Sequence, residues 1–101
     1  MEQTLLFRVD KNFSLPGLGV LLLPEKQVPE LQKLALHTSL RLLLHYSAGH
    51  REPAVATVEE IDRAEESAVR ALLLTQEGAA PVPVGTEVWW GGEEVGWEEL
   101  L

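Results

Sequence analysis

The segment LALHTSLRLLLHY, residues 34–46, carries the clearest residue pattern in the chain. Its even positions are apolar apart from Thr38 and its odd positions are mostly polar, which gives a period of two. A β-strand directs alternate side chains to opposite faces, so this pattern predicts a strand with one buried and one solvent-exposed face. A helix would mix His37, Arg41 and Leu44 on one stripe. We therefore predict a strand, or two strands with a bend near residues 37–39.

The bulk composition indicates one globular domain, residues 1–101. Domains commonly have about 100–150 residues, and a chain of this size buries about 60–65% of its unfolded surface, enough for one modest core. There is no cysteine, so neither a disulfide framework nor a thiolate metal site is proposed. The N-terminal MEQTLLFRVDK lacks the features of a signal peptide, and the apolar runs are too short to span a bilayer. We expect a cytoplasmic protein with no membrane association.

The charge is unevenly distributed along the chain. Residues 1–51 carry six Lys and Arg against four Asp and Glu, whereas residues 52–101 carry two against twelve. The overall charge is −8. Nucleic-acid binding needs clustered cations that displace phosphate counterions, and neither half offers a dense basic cluster. The acidity is interpreted as a source of solubility, and nucleic acid is not an expected partner.

The remaining elements are read from alternation and from Gly and Pro positions. Strands are predicted at residues 4–9, 19–23, 54–61, 68–75 and 84–90, with one helical turn beginning at Pro29 and a loop or short helix at 62–67. SLPGLG, residues 14–19, is a turn rather than a dinucleotide loop, because it lacks the third glycine. Gly91 and Gly92 are expected to end the last strand, leaving residues 91–101 as an acidic, Trp-containing tail. This spacing of short strands indicates an all-β barrel or sandwich.

The order of these parts resembles the β-barrel second domain of translational GTPases such as elongation factor Tu. In that family an acidic residue and a Phe follow the first strand, then a Pro/Gly turn and a strand that opens with Gly. AVATVEEI resembles its strand that ends in Val-x-x-Ile, and ALLL with VPVGTEVW resembles its last two strands. The resemblance implies a small six- or seven-stranded barrel, here as a stand-alone domain. The residues that carry it are Val9, Asp10, Phe13, Pro16, Gly17, Gly19, Val20, Val58, Ile61 and Gly85.

Several family features are missing from this chain. His37 and Thr38 stand where the family usually has Gly-Asp, and residues 25–33 have no Gly-rich counterpart. There is no GxxxxGK[ST] phosphate loop and no NKxD base motif, so GTPase activity is not implied. No position matches a tRNA-contacting residue of the family, and none is assigned.

No catalytic, cofactor-binding or metal-binding residue emerges from the sequence. His37 and His45 are eight residues apart, or about 26 Å along a strand, which one metal ion cannot bridge; His50 with His45 and Glu52 is a weak alternative. The paired glutamates are read as solvated surface, because neighbours on a strand point to opposite sides. The serines lack a G-x-S-x-G context. The acidic pairs are Glu59 and Glu60, Glu65 and Glu66, Glu93 and Glu94, and Glu98 and Glu99.

Three tryptophans lie close to the C-terminal end. Trp89 and Trp90 are adjacent and must face opposite ways on a strand, so one can be in the core and the other outside. Either these groups pack on the domain itself, or they form an aromatic contact surface for a protein partner or a second copy. The candidate partner-contact residues are Trp90, Val95, Trp97, Leu100 and Leu101.

The sequence leaves three functions open. The first is a stand-alone binding or scaffolding module that contacts another protein. The second, from the family resemblance alone, is an RNA- or tRNA-end-binding module. The third is a small enzyme, which would need a pocket with converging polar groups. The first is favoured.

Overall fold

The computed structural model describes residues 3–64, 66–76 and 78–96. The described residues form seven β-strands and one turn of α-helix, so the prediction of an all-β fold with six or seven strands is confirmed. No described helix is long and apolar enough to cross a membrane. The elements are β1 (Thr4–Arg8), β2 (Lys11–Leu15), β3 (Gly19–Leu23), α1 (Pro29–Gln32), β4 (Ser39–His45), β5 (Arg51–Arg63), β6 (Glu66–Leu74) and β7 (Glu87–Glu94).

All seven strands belong to one antiparallel sheet with the order β1-β7-β4-β5-β6-β3-β2. The sheet curls into a half-barrel, and its two end strands, β1 and β2, are consecutive in the chain. The two residues between these strands form backbone hydrogen bonds near opposite ends of the sheet. Val9 donates its backbone N–H to the carbonyl of Thr86, which precedes β7, at 2.9 Å, and Asp10 donates to the carbonyl of Leu23 in β3, also at 2.9 Å.

β4 is the third strand of the sheet, between β7 and β5. Leu40, Leu42 and Leu44 are at most 4% exposed, whereas Arg41 between them is exposed. The predicted period of two is therefore confirmed over Ser39–His45. These leucines face one core built from every strand except β2. Its other large members include Phe7, Val9, Val20, Leu22, Val58, Leu72, Leu74, Val82 and Val88.

The first part of the central stretch is not a strand. The helical turn predicted at Pro29 is confirmed, and its Leu31 is fully buried in the core. Residues 34–38 then form turns that lead into β4. His37 takes a left-handed φ of 72°, and its backbone N–H donates to the carbonyl of Val58 at 2.7 Å. The expected bend near residues 37–39 is present, but the strand begins only after it.

Three predicted boundaries are wrong. Lys11–Leu15 is a strand, β2, paired with β3, in a region where no strand is predicted. The segment 62–67, predicted as a loop or short helix, is largely strand, because β5 extends to Arg63 and β6 begins at Glu66. Gly91 and Gly92 do not end β7, because β7 pairs with β4 again at Glu94.

The β2–β3 turn requires glycine at one position above all. Gly19 has a φ of 140°, and a Cβ added there would lie 1.9 Å from the carbonyl oxygen of Leu74. β3 and β6 therefore pair as closely as they do because residue 19 has no side chain. Gly17, in the turn itself, has a φ of 80° but open space around its Cα.

Candidate functional site

The predicted partner-contact residues lie in two different situations. Trp90 packs against the core from the inner side of β7, and its indole Nε1 donates to the carbonyl of Glu93 at 2.9 Å. Val95 is buried, and its backbone N–H donates to the carbonyl of Ser39 at 2.8 Å. Both residues thus hold the end of β7 on the barrel. Trp97, Leu100 and Leu101 lie outside the described residues.

The tryptophan on the outer side is Trp89. It pairs in register with Leu43 of β4 on one side and with Leu5 of β1 on the other. Leu43 in turn pairs with Pro53 of β5. Because the even residues of β4 face the core, these four side chains share the outer face of the sheet. They form an apolar row across four strands, which spans about 14 Å at the usual strand spacing.

A row of charged and polar side chains lies beside the apolar row. Arg8 pairs in register with Glu87, Glu87 with His45, and His45 with Arg51. On the other side of the apolar row, Arg41 forms an ion pair with Glu93 at 3.1 Å. We call this outer surface the Trp89 face. It comprises Leu5, Arg8, Arg41, Leu43, His45, Arg51, Pro53, Glu87, Trp89 and Glu93.

Glu87 organises the contacts around the indole. Its carboxylate accepts a hydrogen bond from Trp89 Nε1 at 3.0 Å and one from the Arg8 guanidinium, also at 3.0 Å. The pKa of Glu87 lies below its ordinary value of 4.5, chiefly because of the hydrogen bond from Trp89. The hydrogen bond and the charge of Arg8 lower it further, whereas partial desolvation of the carboxylate acts in the opposite direction. The carboxylate therefore keeps its charge at neutral pH, and it fixes the indole and the guanidinium side by side.

His45 stacks on the same indole. The ring centroids lie 5.2 Å apart with 24° between the planes. Its Nε2 is buried and has no hydrogen-bond partner among the described residues. A buried ring nitrogen without a partner is uncommon in folded proteins. The stack therefore places the imidazole for packing on Trp89 rather than for hydrogen bonding.

Two open cavities flank the apolar row. The first, of about 370 Å³, lies where the 46–50 loop approaches Gly85, and the second, of about 330 Å³, lies over Arg41 and Gly91. In the first cavity, Tyr46 stacks on His50 with centroids 5.4 Å apart. Burial raises the pKa of Tyr46 above its ordinary 10.0, and the nearby Glu52 carboxylate raises it further.

The histidines do not converge. His37 contacts Glu59 at 3.1 Å, His50 contacts Glu52 at 3.6 Å, and His45 lies against Trp89. Within residues 3–64, 66–76 and 78–96, no three His, Asp or Glu side chains are grouped so that they could hold a metal ion.

The comparisons with known proteins add no relative. No protein-family model, no curated protein and no solved structure matches the chain. The interpretation of the site therefore depends on the geometry of the Trp89 face alone. Sequence reasoning missed this face because its candidate list named Trp90 and omitted Trp89, whereas Trp89 is the one that lies on the outer side. The sequence did contain one local signal. Glu87 and Trp89 are two residues apart, so on a strand the Trp89 side chain lies on the same face as the charged Glu87.

Proposed function

We propose that this chain is a protein-binding module and that the Trp89 face is its binding surface. The observation that carries the proposal is the apolar row with Trp89 near its centre, bordered on both sides by ion-paired charges. Protein interfaces commonly have an apolar centre and a polar rim, and their energy is concentrated in Trp, Tyr and Arg. The Trp89 face supplies a tryptophan and three arginines on four adjacent strands.

The ion pairs support a rigid surface. Arg8 forms an ion pair with Glu87, and Arg41 forms one with Glu93. Both long side chains are therefore already ordered before a partner binds. Exposed ion pairs contribute little to stability, with typical values of about 0–1 kcal/mol. Their value here lies in orienting guanidinium groups around the indole, because an ordered side chain loses less entropy on association.

A capture experiment tests this proposal. The tagged chain should retain a protein from native lysate, and Leu43→Glu should abolish the retention because it places a charge in the apolar row. Leu18→Glu is the matched control, since Leu18 is 64% exposed in the β2–β3 turn, outside the Trp89 face. Melting curves are recorded to check that both variants are folded. Retention that Leu18→Glu and Leu43→Glu reduce equally contradicts the proposal.

A second candidate function is RNA binding, as the resemblance to translational GTPase barrels suggests. One observation favours it: Arg8, Arg41 and Arg51 gather around an aromatic ring, as in single-strand binding sites. Glu87 and Glu93 oppose it, because they offset two of the three charges. Fluorescence anisotropy of labelled tRNA and single-stranded DNA at about 150 mM salt stays flat if the chain binds protein alone. A salt-sensitive rise supports the RNA alternative.

A further inference from the structure

A groove runs along the free edge of β1. It has a volume of about 440 Å³ and lies between residues 5–8 on one side and residues 24–28 on the other. β1 stands at one end of the sheet order, paired only with β7 among the described strands. Within the described part of the chain, no backbone hydrogen bond joins β1 to residues 24–28.

The direction of the backbone groups in β1 follows from the residues beyond it. Val9 donates to Thr86 and accepts from Gly85, so its backbone groups point towards β7. Asp10 donates to Leu23, on the opposite side. Because backbone groups alternate sides along a strand, the N–H and C=O of Arg8 share the side of Asp10. They therefore point into the groove.

We propose that an extended peptide segment of a protein partner, with an acidic residue at one position, adds to β1 as a further strand; this rests on the proposed protein-binding function and specifies its mode. Strand addition is a known mode of peptide recognition, in which main-chain hydrogen bonds give affinity and alternate side chains give specificity. Residues 5–8 offer an edge of about 13 Å, which matches about four residues of an extended peptide.

The charges of the groove favour an acidic residue at one position of the occupant, beside Lys26. Arg8 is oriented by its ion pair with Glu87 and therefore adds little net positive charge to the groove. An added strand would also continue the Trp89 face. Its side chains would lie opposite Leu5 in the apolar row and Arg8 in the charged row, so an apolar residue and an acidic residue on one face of the peptide are complementary.

The shape of β1 favours a short peptide over a second copy of this chain. The pairing of β1 with β7 is interrupted by a bulge between Leu5 and Phe7, and Arg8 follows the bulge. Bulges and charged side chains on an edge strand are features that oppose long edge-to-edge pairing. Only a short stretch of edge is therefore available, and a partner strand must fit between it and residues 24–28.

The test uses the full chain and random peptides displayed on phage. Selected peptides should alternate apolar and polar residues with an acidic residue on one face. Each peptide is then resynthesised with single N-methyl groups along its backbone. Methylation at every second amide should weaken binding about tenfold, because those N–H groups bond β1, while methylation at the intervening amides should leave it unchanged. Hydrogen exchange of the Arg8 amide should slow in the complex.

Two variants locate the site. Lys26→Glu, in the groove wall, should weaken binding about fivefold or more. Lys33→Glu makes the same charge change at the end of α1, outside the groove, and should leave the affinity unchanged.

Several results would overturn strand addition. The first is that no peptide is enriched. The second is that N-methylation weakens binding at amides that do not alternate along the peptide. The third is that the hydrogen-exchange rate of the Arg8 amide is the same with and without peptide. If light scattering shows a dimer that forms through the same edge, the occupant of the groove is a second copy of the chain. If peptide binding appears only after truncation behind Gly96, the occupant is the chain's own end. The capture experiment depends on Leu43 and not on peptide amides, so the proposed function can succeed where this inference fails.

Discussion

The indole of Trp89 donates a hydrogen bond to the carboxylate of Glu87 at 3.0 Å, two residues away on the same face of β7. Arg8 donates to the same carboxylate from the neighbouring strand. One carboxylate thus connects the aromatic and the cationic parts of the Trp89 face. This relationship has a measurable dependence on pH.

The acid side of the stability profile should depend on Glu87. Its pKa is lowered in the folded state from an ordinary 4.5, chiefly by the Trp89 hydrogen bond. The group therefore stabilises the fold at pH values above 4.5, and this contribution is lost as the pH falls through the lowered value. Melting temperatures of Glu87→Gln should fall less steeply between about pH 6 and pH 3 than those of the wild type. Glu94→Gln, on the same strand, is the control; identical slopes for all three proteins would refute the role of Glu87.

The register of β4 gives a stability prediction. Leu42→Ala should cost about 2–5 kcal/mol, because Leu42 is 4% exposed in the core. Arg41→Ala should cost less than about 1 kcal/mol, since Arg41 is exposed on the outer face. Urea unfolding measures both. If the two neighbours cost the same, the assigned faces of β4 are wrong.

The β2–β3 turn gives a second stability prediction. Gly19→Ala should cost more than about 3 kcal/mol, because its Cβ meets the Leu74 carbonyl at 1.9 Å. Gly17→Ala should cost about 1 kcal/mol, since it has a positive φ but open space. Thermal unfolding of both variants compares them directly, and a Gly19→Ala protein as stable as Gly17→Ala would exclude the close pairing of β3 with β6.

Residues 93–96, at the end of β7, should contribute to the stability of the fold more than the residues that follow Gly96. Truncation after Gly92 removes Glu93, which accepts from Trp90 and pairs with Arg41, and it removes the buried Val95. Relative to truncation after Gly96, we expect the melting temperature to fall by about 10 °C or more. Light scattering on the full chain and on the protein truncated after Gly96 reports whether the residues beyond Gly96 change the mass of the particle in solution. Equal melting temperatures would mean that residues 93–96 do not support the barrel.

The part of the fold that sequence reasoning predicted is the part with a strong local pattern. β4 alternates because one face is buried, and Pro29 can begin a helical turn because position N1 needs no N–H donor. β2 gave no such signal, because it stands at the end of the sheet and its Phe13 is 50% exposed. Gly91 and Gly92 read as a break, yet β7 continues through an irregularity in its pairing there and pairs with β4 again at Glu94.

The candidate site was beyond local patterns for a different reason. The sequence shows that Trp89 and Trp90 face opposite ways, but their assignment depends on which β4 residue each one pairs with. Trp90 pairs with Leu42, which faces the core, and Trp89 with Leu43, which faces outward. Residues 87–94 hold one local clue, the spacing of Trp89 from the charged Glu87, but the pairing partners on β4 cannot be read from them alone. The same holds for the groove beside β1, since its two walls are brought together only by the curl of the sheet.

The most direct test of the proposed protein-binding role of the Trp89 face is site-specific photo-cross-linking in native lysate. A photoreactive amino acid replaces Leu43 in one protein and Leu18 in the other, and the adducts are separated before and after nuclease treatment. The account predicts a discrete protein adduct from position 43 that nuclease does not change, and none of that mass from position 18. An adduct that nuclease removes, the same adduct from both positions, or no adduct from position 43 would contradict it.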